Sequence, residues 1–155
     1  MRPNLLFALG ADEVAPSTVR RVGVKLTKDS IDLGIVVSDI TRALAFYRGY
    51  LGLPYERSMP MSKTTTLHFL KAGTTAIKLW EVTEPPGAAG TTWPLEAQLG
   101  MRYITLTVSN LDDVLAEAPS EVKVVLPATQ LMPGVRIAML ADPDGNAVEL
   151  LESAP

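Results

Sequence analysis

Side chains suited to catalysis are few in these 155 residues: His68 is the only histidine, and cysteine is absent. Thiol nucleophiles, disulfides and cysteine-held metals are thereby excluded, and the cytoplasm is the expected compartment. Neither a glycine-rich phosphate loop nor a nucleophile elbow occurs. What remains is the chemistry of carboxylates, ammonium groups and phenols. Two pairs of such groups stand in register: Asp32 and Tyr103 are 71 positions apart, and so are Lys78 and Glu149. The acidic run Asp142-Pro-Asp-Gly-Asn146 lacks the downstream glutamate of a calcium loop. It reads as a turn, with Pro143 fixing one dihedral and Gly145 permitting a positive one.

The shared spacing reflects a repeat. Asp32-Leu-Gly-Ile-Val-Val-Ser-Asp-Ile-Thr-Arg-Ala-Leu44 echoes Tyr103-Ile-Thr-Leu-Thr-Val-Ser-Asn-Leu-Asp-Asp-Val-Leu115. Ala76-Ile-Lys-Leu-Trp-Glu81 echoes Ala147-Val-Glu-Leu-Leu-Glu152 at the same offset, since 103 − 32 and 147 − 76 are both 71. Register kept across two separated blocks points to one duplicated unit.

The elements that must position these residues follow from periodicity. Leu33, Ile35 and Val37 alternate with Asp32, Gly34 and Val36, which predicts a strand. Ser38 or Asp39 caps a helix carrying Ile40, Leu44 and Phe46 or Tyr47 and ending near Gly49 and Gly52. Strands are expected at 55–61, 64–70 and 75–82, with a turn at Lys71-Ala72-Gly73. The second half repeats the order, with a strand at 102–108, a helix near 110–117, and strands near 121–126, 134–140 and 146–152. Residues 83–99 are a Pro- and Gly-rich linker, and residues 1–30 an extension with a possible short strand at Val22, Val24 and Leu26.

A composition 47% hydrophobic supplies one substantial core, and a net charge of -3 without a basic cluster argues against nucleic acid. No apolar stretch approaches the roughly 20 residues that span a bilayer. The apolar part of the start, Leu5 to Leu9, is short and followed by Asp12 and Glu13, unlike a secretion signal.

These residues resemble the vicinal oxygen chelate superfamily of glyoxalase I, bleomycin-resistance proteins and extradiol dioxygenases. Gly34-Ile-Val-Val-Ser-Asp39, Ala45-Phe-Tyr47 before Leu51-Gly52, and Asp142-Pro-Asp-Gly-Asn146 before Val148-Glu-Leu150 carry the likeness over about residues 31–153. It implies an α+β fold in which two βαβββ modules, 31–82 and 100–153, form one pseudo-symmetric domain around a concave cavity. It further implies a small organic ligand and a homodimer. Where that family holds a metal, each half gives one ligand from its first strand and one from its last. Those positions fall on Asp32, Lys78, Tyr103 and Glu149. Family members that use a metal usually show His or Gln on the first strand and Glu on the last, and only Glu149 matches.

An ammonium has no free lone pair and repels a cation, so Lys78 opposes a metal. The expectation is no cofactor, with a divalent ion held by Asp32 and Glu149 as the alternative. In the metal-free reading Lys78 steadies a developing oxyanion, Asp32 or Glu149 is the general base, and Tyr103 donates or relays a proton. An isomerase, lyase or cyclase is then expected, against a sequestering protein or a metal-dependent glyoxalase- or dioxygenase-like enzyme. Alternation puts Trp80, Thr105, Thr107, Leu151 and, by composition, Met139 in the ligand-binding wall, with Met59, Met61 and Met132 as further apolar lining. His68 is expected beside Lys78 if Leu67 and Phe69 take the core face, and Trp93 near the cavity mouth.

Overall fold

The computed structural model describes residues 24–87, 93–97 and 99–153. Strand β1 (Leu33–Val37) leads into helix α1 (Ile40–Leu44), which widens into a π-helical turn (Ala45–Tyr50). Strands β2 (Tyr55–Pro60), β3 (Thr65–Ala72) and β4 (Thr75–Val82) complete the first half. After a 3-10 turn at Leu95–Ala97 come β5 (Tyr103–Thr107), α2 (Leu111–Ala116), β6 (Lys123–Met132), β7 (Val135–Ala141) and β8 (Ala147–Ser153). Each half is a βαβββ unit, and together they form the expected pseudo-symmetric domain.

The strand orders are β1-β4-β3-β2 and β5-β8-β7-β6. In both sheets the first strand pairs parallel with the last, and the rest is antiparallel. Leu33 faces Ile77 and Ile104 faces Val148, so the offset of 71 seen in sequence survives as strand register (104 − 33 and 148 − 77). No helix among the described residues is long and apolar enough to cross a membrane.

Alternation sets which face each strand buries. Val37 is buried and Leu33 and Ile35 half-buried, whereas Asp32, Gly34 and Val36 are exposed. Ile104, Leu106 and Val108 are half-buried, and Tyr103, Thr105 and Thr107 exposed. The buried faces and the helices share one core: Leu70, Ile77 and Leu79 of the first sheet join Leu140, Val148 and Leu150 of the second. Each such aliphatic side chain contributes roughly 1.5–3 kcal/mol by leaving water.

Helix α1 starts where Asp39 accepts hydrogen bonds from the Thr41 and Arg42 amides at 2.8 and 3.1 Å. Farther on, the Leu51 amide reaches back to the Phe46 carbonyl at 2.9 Å, a five-residue step characteristic of π-helix. The wider turn buries both Phe46 and Tyr47, where the periodicity allowed one or the other. Tyr47 is completely buried and donates to the buried Asp142 carboxylate at 2.8 Å. Asp142 also accepts from the Asp144 amide and from the amide and side chain of Asn146, while Asp144 accepts from the Ser38 amide and hydroxyl. The acidic turn therefore locks the two halves together.

Four expectations need correction or restriction. The β3–β4 turn is Gly73–Thr74, since Ala72 pairs with Thr75. Gly73, at φ 60°, supplies the left-handed backbone. This two-residue turn sets Phe69 opposite Lys78 and Leu67 opposite Trp80, so His68 stands opposite Leu79 on the helix-covered face. Strand β6 runs to Met132, well beyond 126, through three register irregularities that keep a long edge strand paired. Val24 and Leu26 are exposed and form no strand. Residues 1–23 of the extension, including Val22, and 88–92 and 98 of the linker lie outside the described residues.

Candidate functional site

The first sheet presents its open face in rungs set by strand register. One rung runs Arg57, Phe69, Lys78, Gly34, and the next Met59, Leu67, Trp80, Val36. Phe69 and Leu67, only 6% and 5% exposed, form an apolar floor beneath longer side chains. The Arg57 guanidinium lies 3.9 Å from the Phe69 ring centre and Lys78 Nζ 5.9 Å from it. Trp80 is half-buried beside Gly34, where a Cβ would stand 3.1 Å from the indole nitrogen. Gly34 thus makes room for the indole.

Lys78 Nζ is 3.2 Å from Asp32 Oδ2. Asp32 Oδ1 accepts from Lys28 and from the Ala76 amide, the latter at 3.0 Å. The hydrogen bond from Lys28 does most to hold the Asp32 carboxyl far below the usual carboxylate range, helped by the Ala76 amide and Lys78. A carboxylate stabilised in this way is a weak base. Of the two expected bases, Asp32 is therefore better suited to anchoring Lys78.

On the second sheet, Thr105 and Glu149 are direct neighbours, and the Thr105 hydroxyl donates to Glu149 Oε2 at 2.6 Å. Met139 stands opposite Glu149 and is 2% exposed, so it serves mainly as packing. Leu151, half-buried, neighbours Thr107. Tyr103 is 48% exposed near the start of β5. Among the described residues no hydrogen bond or ion pair joins Asp32 or Lys78 to Tyr103 or Glu149. The four positions form two polar pairs and a separate phenol.

Hollows lie where the two halves meet. One of about 240 Å³ is lined by Gly34, Val36, Met101, Tyr103 and Ala147, and one of about 320 Å³ by Ile31, Leu33, Thr75, Met101, Tyr103 and Thr105. A larger one of about 660 Å³ opens between the π-helical turn, β5 and α2, where Tyr50, Thr105, Thr107, Asp113 and Glu117 contribute. Trp93, half exposed, lines none of these three, and neither do Lys78, Trp80 or Glu149, which stand on the open sheet faces.

His68, expected beside Lys78, has a different setting. Its Nδ1 is 3.0 Å from the Tyr55 hydroxyl and its Nε2 is 2.9 Å from Glu81 Oε2. A neutral imidazole satisfies both, accepting from the phenol and donating to the carboxylate. Sequence reasoning also missed Lys28 and Arg57. Four-residue spacing from Asp32 was the only signal for Lys28, and Arg57 needed the β2–β3 register.

The donor set does not fit a divalent metal. Asp32 is engaged by two ammonium groups, and Lys78 offers no lone pair. Among the described residues no three His, Cys, Asp or Glu side chains are grouped to hold an ion. The arrangement instead supplies an ammonium beside an apolar floor, a hydrogen-bonded carboxylate and an exposed phenol.

Solved structures share this architecture. A glyoxalase family protein from Bacillus cereus superimposes with TM-score 0.72 at 20% identity, covering 87% of this chain and 99% of that one. The trypanothione-dependent glyoxalase I of Leishmania major gives TM-score 0.60 at 24% identity, covering 78% and 84%. An antibiotic binding protein from a Streptomyces species gives 0.58 at 24%, covering 84% and 100%. No curated protein matches the sequence. The family model described as Glyoxalase/Bleomycin resistance protein/Dioxygenase superfamily matches residues 30–150. With the duplicated βαβββ unit and that match over most of its length, the chain belongs to the glyoxalase/bleomycin resistance/dioxygenase superfamily.

Proposed function

We propose that the protein binds a small organic molecule over its open sheet faces and transforms it by metal-independent acid–base chemistry. The observation carrying this reading is the Lys78 ammonium, held 3.2 Å from Asp32 at a position where a metal-using relative needs an electron-pair donor. Lys78 stabilises an enolate-like oxyanion, Glu149 takes the proton, and Tyr103 returns or relays one. Asp32 keeps Lys78 in place. The reactions that suit this arrangement are those isomerisations, epimerisations, cyclisations and eliminations that run through such an intermediate. Trp80 supplies an aromatic wall, and Thr105 orients Glu149.

A homodimer completes this reading. Val36, Met101 and Tyr103 are 51%, 79% and 48% exposed, and a second copy covering them would dry the site. The cytoplasm is the compartment that suits a cysteine-free chain of this composition.

The test is deuterium exchange at carbons next to a carbonyl, read by mass spectrometry over a panel of 2-oxo and 3-oxo acids with chelator-treated protein. Exchange faster than in protein-free controls is expected, and Lys78→Met and Glu149→Gln should reduce it to the control rate with the circular dichroism unchanged. Exchange that appears only on adding Zn²⁺, Ni²⁺, Fe²⁺ or Mn²⁺ refutes the proposal. A second reading, sequestration, is favoured by the missing hydrogen bond between the Asp32–Lys78 and Thr105–Glu149 pairs. It predicts a tightly bound ligand recovered unchanged.

A further inference from the structure

Arg57 is the unexplained charge on the open face. Around it, Asp32 answers Lys28 and Lys78, and Glu56 lies 3.5 Å from Lys71. Among the described residues Arg57 has no carboxylate partner. Its contacts are the Phe69 ring, 3.9 Å from its Cζ, and Met59 Sδ at 3.8 Å. An exposed arginine normally extends into water, yet this one is laid over a nearly buried phenylalanine. Stacking fixes the guanidinium while leaving N–H groups on its edge for an acceptor. Strand register then places Arg57 and Lys78 on either side of Phe69, with Met59, Leu67 and Trp80 on the adjacent rung.

We propose that this rung recognises a carboxylate: Arg57 grips the carboxylate of a flat, apolar-bodied organic acid lying against Met59 and Trp80, with Lys78 facing the reacting end. The assignment rests on the reading that the open face around Lys78 is the ligand site. A planar carboxylate matches the guanidinium fork with two parallel hydrogen bonds, which a tetrahedral phosphate also accepts but a neutral amide cannot reproduce. The ligand class is therefore an aromatic or otherwise planar carboxylic acid, with Arg57 as its specificity determinant.

The test uses 2-naphthoate, 2-naphthamide and 2-naphthyl phosphate, titrated calorimetrically into the full chain. Wild-type protein should bind 2-naphthoate at least about tenfold more tightly than 2-naphthamide, since hydrogen bonds to charged groups are worth that much. Arg57→Gln should erase the preference, and Arg57→Lys should restore part of it. Circular dichroism should match across all three proteins. Undetectable 2-naphthoate binding, equal binding of the amide, or tighter binding of the phosphate overturns the proposal. If Lys78→Met weakens 2-naphthoate but Arg57→Gln does not, the Arg57 assignment fails and the site stands. If neither substitution alters binding, the site itself is misplaced.

Discussion

Replacing Tyr47 by Phe tests the lock between the halves. The phenol is fully buried and donates to Asp142 at 2.8 Å, and Asp142 is itself only 5% exposed. Three other donors remain on that carboxylate at 2.7 to 3.0 Å, so the variant leaves it partly satisfied. Losing one hydrogen bond to a buried charge costs about 2 kcal/mol. For a domain of this size that lowers the melting temperature by about 4–8 °C. The pH dependence adds a second signature. Burial first, then the negative charge of Asp142, raises the Tyr47 pKa well above that of an exposed phenol. The folded chain keeps a proton that the unfolded chain loses above pH of about 10. This contribution is complete below that pH and fades as pH rises through it. Thermal melts between pH 7 and 11 should therefore show a steeper alkaline loss for wild type than for Tyr47→Phe. Equal slopes, or a fall under about 1 °C at neutral pH, would refute the lock.

Gly34→Ala should displace Trp80, whose indole nitrogen lies 3.1 Å from the new methyl position, shifting its fluorescence and weakening ligand binding while the fold persists. Gly73→Ala meets no neighbouring atom but must adopt φ 60°, so it should cost about 1 kcal/mol through backbone strain, read by denaturant melts; no change would contradict the two-residue turn. Asp32 should titrate below ordinary carboxylates by carbon-detected NMR, and its stabilising contribution, present above the unfolded pKa, should vanish only at pH below that of a typical aspartate. A midpoint near that of an exposed aspartate would show that Lys28 and Lys78 do not engage it.

The repeat was legible because the same apolar alternation recurs at one offset, and strand register preserves it in Leu33–Ile77 and Ile104–Val148. The Thr105–Glu149 proximity follows from that register directly, and Asp32, one residue before β1, reaches Lys78 from beside its register partner Gly34. His68 was misplaced for a definable reason. Leu67, His68 and Phe69 alternate equally well in either orientation, and shifting the turn by one residue reverses every side chain on β3. The same ambiguity hid Arg57, two strands from Lys78. The π-helical turn was also illegible, because burying two consecutive aromatics answers to the neighbouring half and not to local periodicity.

That turn fastens the first half to the second. Tyr47 finds its acceptor in the second half, and Tyr50 donates to the Val114 carbonyl of α2 at 2.9 Å. The corresponding positions after α2 are Ala118 and Glu121, 71 residues on, and neither can return an aromatic hydroxyl. Twin ancestry thus persists in the sheets but is broken in the helices. A separated N-terminal half-molecule would leave the Tyr47 and Tyr50 hydroxyls without these acceptors, which ties the persistence of the first copy to the presence of the second.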